Sequence, residues 1–363
     1  MIKKLLTLIC LAILLQTPGL SAQNKPIKIG VILPLTGDFA YFGAQAKIGI
    51  DAALRELNAT GTQIKVVYED DKCLPKDGLR AFKKLISVDK VDQVLGPVCT
   101  GSILAVAEGA KSMKRYFLAL LDANRPVANS GEFTYAIGYS SEEEAELVAE
   151  HVRVSGYSAI GIIYEDDAWA VGVKDAFKNK LIAIGGSIVS EESQVITGGV
   201  SALDYKPVIT KVIKNKPDAL FVVPAYNGGF FIKQLRAMGI TLPIFGPDTF
   251  GVTEVIEIAK DAANGIVYAN AIIPEKNPAA LKLELALTKY LKRAPNSIFY
   301  AGLGYDGLKI LTQIATSEKT FPEAAAAVDL STTVLGLKAF NNERQSKLPP
   351  ALYQIKRQKS VRF

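Results

Sequence analysis

The chain has 363 residues, 49% hydrophobic and 21% charged, with a formal charge of +6 and one histidine. That length exceeds a single ordinary domain and suggests two, each able to bury a substantial core. The positive residues are scattered among acidic runs such as "YEDD" and "SSEEEAE", a texture that excludes a nucleic-acid or membrane-binding patch.

The N-terminus carries Lys3 and Lys4, the apolar "LLTLICLAILL", a break at Thr17–Pro18–Gly19 and then small residues, the order of a secretory signal peptide over residues 1–22. The apolar core is too short for an ordinary membrane span. Cys10 lies inside it and follows Ile9, unlike a lipid-attachment cysteine. Cleavage is expected after Ala22, which lowers the charge to +4 and leaves roughly 340 residues in an exported setting.

Short apolar, β-branched runs then recur: "IKIGVILPL", "IKVVYEDD", "VDQVLGP", "YFLALL", "FTYAIG", "SAIGIIYEDD", "GSIVSEE", "DALFVVP", "PIFGPD" and "GIVYANAII". Such continuous runs mark strands buried on both faces. Between them, segments such as residues 43–58 and 171–184 place apolar residues three and four apart, as amphipathic helices do. The fold class is therefore α/β, built of repeated strand-helix units around parallel sheets.

Cys73 and Cys99 are the cysteines outside the leader. In an exported chain an even pair reads as one disulfide, worth about 3–4 kcal/mol for a loop of this length. Cys99 sits in "GPVCTGS", where an apolar run gives way to a hydroxyl-rich turn, and is read as a clamp on that turn. As a nucleophile it lacks a helper: His151, the lone histidine, lies in the helical pattern "EEEAELVAEHVRVSG" and reads as a solvated or packing residue. "GLGYDG" at residues 302–307 lies within the helical run "SIFYAGLGYDGLKIL", so it is not a phosphate cradle. There is no Walker sequence, nucleophile elbow, matched base and nucleophile, or metal cluster, so no enzyme and no cofactor is expected. Breaks in texture fall near residues 138–141 and 265–273, as crossovers between two hinged lobes would place them. The basic C-terminal "IKRQKSVRF" reads as a solvated tail.

In open parallel sheets, ligands bind beyond the carboxyl ends of the strands. Those positions hold Thr100, then Asp122, Ala123 and Asn124, then Trp169, then Ala225, Tyr226 and Asn227, then Asp248 and Thr249. Hydroxyls, amides, aromatic rings and carboxylates suit a small zwitterion. Helix-start N–H groups beside Thr100 offer a carboxylate site, Asp248 an ammonium partner, and Phe42 or Trp169 an apolar cover. Taken singly, Trp169 also reads as a packing residue and Asp248 as a helix N-cap.

Over nearly the whole mature chain the sequence resembles the periplasmic leucine/isoleucine/valine-binding protein family, the type I solute-binding proteins of branched-chain amino-acid ABC transporters. The resemblance is carried, in family order, by "KIGVILPLTGDFAYFG", "ELNATG", "YEDDKCLPKDGLRAFKKLI", "VLGPVCTGS", "IGIIYEDDAWAVG", "LRAMGI", "IFGPD" and "AANGIVYA". It implies two Rossmann-like lobes joined by a three-crossover hinge, residues 24–139 plus 271–338 and residues 140–270 plus 339–363. It also implies the Cys73–Cys99 disulfide. By the same resemblance the carboxylate-binding hydroxyl falls on Thr100, a second carboxylate-side position near Asn124, and the aromatic cover on Trp169. A further lining residue falls on Phe42, a second-lobe aromatic near Tyr226, and the ammonium-pairing acid on Asp248. The implied role is capture of an amino acid or related polar solute, with ABC permease subunits as partners and no nucleic acid; the chain is expected to act as a monomer in the periplasm. A sensory module of the same fold is the alternative. One stretch departs from the family: "LDANRP" stands where a "SPxATNP"-like segment is expected, bringing Asp122, Asn124 and Arg125 to a weakly polar wall. A polar amino acid or amide-like solute then competes with leucine, and Arg125 either reaches a ligand carboxylate or lies on the surface.

Overall fold

The computed structural model describes residues 26–195, 203–224, 227–274, 276–292, 295 and 297–363. The leader, its cleavage site, Cys10 and Tyr226 lie outside the described residues. All ten apolar runs form strands: β1 (Ile27–Leu33), β2 (Ile64–Asp70), β3 (Gln93–Leu95), β4 (Phe117–Asp122), β5 (Thr134–Tyr139), β6 (Ala159–Glu165), β7 (Ser187–Gln194), β8 (Ala219–Val223), β9 (Ile244–Gly246) and β10 (Val267–Ala271). Three short C-terminal strands complete them, β11 (Gln345–Lys347), β12 (Pro350–Lys356) and β13 (Lys359–Arg362).

The strands make two sheets, one per lobe. The first runs β11-β5-β4-β3-β1-β2 and is parallel throughout. In the second, ordered β13-β12-β10-β9-β8-β6-β7, β6 to β10 are parallel and β12 and β13 close the edge antiparallel. Alternation along each buried strand feeds two cores. Ile29, Val31 and Leu33 pack on one face of β1, and Ile32 packs on the other with Phe82, Ile103 and Phe117. In the second lobe, Leu220 and Val222 face one core while Phe221 and Val223 face the opposite one. Helices therefore cover both faces of both sheets.

The glycines of "GLGYDG" lie inside the helix Ile298–Thr316. Gly304, with Gly49 on the facing helix, lets this helix cross Ala40–Ala59 at backbone contact: a Cβ on Gly304 would sit 2.0 Å from the Ala46 carbonyl oxygen, and one on Gly49 would sit 1.7 Å from that of Ala301. His151 is on the helix Ser141–Val154, with its ring 6.0 Å from Phe245 and 5.3 Å from Phe363, and burial lowers its pKa.

Two readings of the C-terminal segment are corrected. The boundary that places residues 339–363 in the second lobe fails at β11, whose Gln345, Ser346 and Lys347 pair with Ala136, Ile137 and Gly138 of β5 in the first sheet. The chain changes sheets between Lys347 and Pro350. The basic "IKRQKSVRF" is not a free tail: Lys356–Arg357–Gln358–Lys359 turns a hairpin, and β12 pairs with β10 over Val267–Ala271. The edge strand, β13, is held by backbone hydrogen bonds to β12, so its charged side chains carry no apolar signal.

Candidate ligand-binding site

The first lobe's wall is built where β2, β3 and β4 end. Cys73, after β2, is bonded to Cys99, with 5.5 Å between their Cα atoms, which ties the two strand ends together. Cys99 is the N-cap of the helix Thr100–Met113, so the clamp fixes the residue that presents the Thr100 hydroxyl. That hydroxyl donates to Asp122 Oδ2, while the Asn124 N–H donates to Asp122 Oδ1 at 3.2 Å. Asp122 is 4% exposed, and burial pushes its pKa up to about 7 against the opposing effect of the Thr100 hydrogen bond. Leu121 beside it takes φ of 76°, and its carbonyl faces Gly138, where a Cβ would lie 2.1 Å from that oxygen. Only glycine fits there.

The second lobe contributes the 3-10 turn Asp248–Gly251 after β9 and the start of the helix Ala168–Ala183 after β6. Asp248 Oδ2 accepts a 2.6 Å hydrogen bond from the Tyr139 hydroxyl. Tyr139 is the last residue of β5, so this bond spans the lobes. Asp248 Oδ1 is buried without a hydrogen bond of normal geometry, as is Thr249 Oγ1. Burial raises Asp248 to about 6 and holds the Tyr139 hydroxyl protonated, far above the ordinary phenol range. Behind them Glu144 is fully buried and neither of its carboxyl oxygens closes a hydrogen bond of normal geometry; desolvation, with the Asp248 charge added, raises its pKa well above the usual range. Trp169 Nε1 donates to Ser141 Oγ at 2.9 Å, which holds the indole in place, and Asp167 caps its helix through the Ala170 N–H at 2.9 Å.

These walls enclose a cavity of about 610 Å³, lined from the first lobe by Phe39, Phe42, Thr100, Leu121, Asp122 and Tyr300, and from the second by Ser141, Trp169, Asp248 and Thr249. The lobes meet at its rim, where Ala168 Cβ lies 4.0 Å from the position of a Cβ on Gly101. Four expected residues, Phe42, Thr100, Trp169 and Asp248, thus share one cavity. Asn124 does not line it, which corrects that expectation: it is 2% exposed, and its side-chain oxygen accepts from Ser140 Oγ and the Glu142 N–H, each at 3.3 Å. It is spent on joining the β4 end to the first crossover. Arg125 also turns away, pairing with Glu146 and, at 3.5 Å, with Glu142 on the helix Ser141–Val154. The sequence reading did not single out Tyr139, Ser141 or Tyr300. Tyr139 ends a strand, as the strand-end rule requires. Tyr300 arrives on a helix distant in sequence, packed edge-on to Phe42 at 5.1 Å, and no local pattern signals it.

A model described as "Periplasmic binding protein" matches residues 26–345. The chain belongs to the periplasmic binding protein family. Within it, the chain is 30% identical over 263 residues to the Leu/Ile/Val-binding protein BraC3 of Rhizobium johnstonii, with 70% of each covered. The branched-chain amino acid transporter substrate-binding protein LivJ of Streptococcus pneumoniae, solved with isoleucine, superposes with a TM-score of 0.78 at 22% identity, covering 93% of this chain and 100% of that one. A solute-binding protein of an ABC transporter from Rhodopseudomonas palustris, solved with 3,4-dihydroxybenzoic acid, gives 0.79 at 22% identity, covering 93% and 96%. The fold is that of type I periplasmic binding proteins, and the cavity lies at the cleft between the lobes. Among the described residues, no helix is long and apolar enough to cross a membrane.

Proposed function

We propose that this protein is an exported, monomeric solute receptor of the periplasm that captures an amino acid, branched-chain-like, or a related small polar solute, and delivers it to the permease subunits of an ABC transporter. The observation that carries this reading is the shared cavity: Thr100 and Asp122 come from one lobe, Trp169 and Asp248 from the other. A ligand touching both walls binds the closed arrangement better than the open one and shifts the equilibrium toward it. Its ammonium group sits against the Asp248 carboxylate, with Thr249 beside it, while Phe42 and Trp169 enclose its apolar part. No bond is made or broken. The names of the relatives, binding proteins of transporters, favour delivery over a sensory role.

A thermal-shift screen against amino acids, their amides and small carboxylates tests this. A ligand at one hundred times its Kd adds about 2.7 kcal/mol of stability. A screen in which no such solute raises the melting temperature overturns the reading.

A further inference from the structure

The Thr100 hydroxyl has one proton to donate, and Asp122 takes it. A ligand carboxylate brought to this wall still meets the helix-start N–H groups of Thr100 and Gly101, but from the side chains it meets the lone pairs of Thr100 Oγ1 and the Asp122 carboxyl rather than a hydroxyl donor; a primary amide can accept from the former and donate to the latter. Asp122 is not a bystander behind the wall, since it lines the cavity while 96% of its surface is covered. Its environment adds to the same sign. Glu142 and, across the cleft, Asp248 both act on it as like charges. Around the cavity as a whole stand Asp38, Asp122, Asp167 and Asp248, and the basic residue among the described lining groups is Lys72, exposed at the rim. Arg125, the other cation near this strand end, is committed to Glu142 and Glu146.

Resting on the proposed solute-receptor function, we propose that Asp122 sets ligand specificity: it turns the Thr100 wall into an acceptor that takes an N–H donor and disfavours an ionised carboxylate. The solute is then an amide of an amino acid, or a molecule of that donor pattern, with its ammonium at Asp248 and its amide N–H at Asp122. The aromatic lining from Phe39, Phe42, Trp169 and Tyr300 takes its apolar side chain.

The test is calorimetric titration at pH 8, where Asp122, raised to about 7, is mainly ionised, with L-leucine and L-leucinamide as probes on the full mature chain, the leucinamide affinity being referred to its ammonium form because an α-amino group beside an amide titrates at about 8. The wild-type protein is expected to bind leucinamide at least tenfold more tightly than leucine. Asp122→Asn removes the charge at nearly constant size, and the preference is expected to shift toward leucine by at least tenfold. Wild-type binding of leucine as tight as, or tighter than, that of leucinamide overturns this assignment and leaves the receptor function standing; that result needs no variant, so it holds even if Asp122→Asn folds poorly. A leucinamide preference that persists in a folded Asp122→Asn protein overturns the role of Asp122. Failure of wild type to bind either probe overturns the assignment together with the amino-acid reading.

Discussion

Asp248→Asn removes one charge and almost nothing else. The asparagine keeps an oxygen for the Tyr139 hydroxyl, now 2.6 Å from Asp248 Oδ2, and has nearly the same volume. What it loses is the carboxylate charge at the cavity wall. Truncating one partner of a buried, hydrogen-bonded charge pair costs about 2–5 kcal/mol, so we expect the Kd of an ammonium-bearing ligand to rise by roughly 30- to 5000-fold. The direction in the ligand-free protein is opposite. Burial alone raises Asp248 to about 6, so its charge is costly there and the neutral amide relieves that cost. The melting temperature of the apo protein should stay level or rise while affinity collapses, which separates loss of a ligand partner from loss of the fold. Tyr139→Phe serves as the graded control: it leaves the charge, removes one donor, and is expected to weaken binding by only about 1 kcal/mol. Calorimetric titration with the best solute from the screen reads both variants. Unchanged affinity in Asp248→Asn would refute the assignment of Asp248 as the ammonium partner.

Other outcomes follow from the same geometry. Because Asp248 titrates near 6 without ligand and must be ionised to pair with an ammonium, affinity should fall about tenfold per pH unit below 6, and binding at pH 6 should release protons, read as a buffer-dependent heat. Trp169 is the single tryptophan and lines the cavity, so its intrinsic fluorescence should change saturably on titration; a spectrum indifferent to a ligand that binds by calorimetry would place that ligand elsewhere. Replacing Cys73 and Cys99 together by serine should lower unfolding free energy by about 3 kcal/mol in denaturant titrations and weaken binding, because the clamp sets the start of the Thr100 helix. Gly304→Ala should lower the melting temperature strongly, since its Cβ would meet the Ala46 carbonyl at 2.0 Å, and also weaken binding by calorimetry, because the two helices it forces apart carry Tyr300 and Phe42 of the cavity.

Short apolar, β-branched runs were enough to locate β1 to β10, because a central strand buried on both faces must be apolar at nearly every position; β2 and β7, at the sheet edges, keep only part of that signal. The expectation of export was enough to pair Cys73 with Cys99, and the rule that ligands sit beyond strand ends was enough to name Thr100, Trp169 and Asp248, which share one cavity. β11 and β13 escaped because an edge strand is specified by backbone pairing, and "ERQSKL" and "KSVR" carry no periodic apolar face; β12, between β13 and β10, does carry apolar residues, Leu352, Tyr353 and Ile355, and was passed over with the basic segment it leads into. Only the tertiary structure could decide the rest of the site. It turned Asn124 to the crossover and Arg125 to acidic partners, brought Tyr300 from a distant helix against Phe42, and gave the Thr100 proton to Asp122. A sequence states which groups are available near a strand end. Which of them remain unspent depends on side-chain partners up to hundreds of residues away, and a hydrogen bond already made inside the wall is one the ligand does not receive.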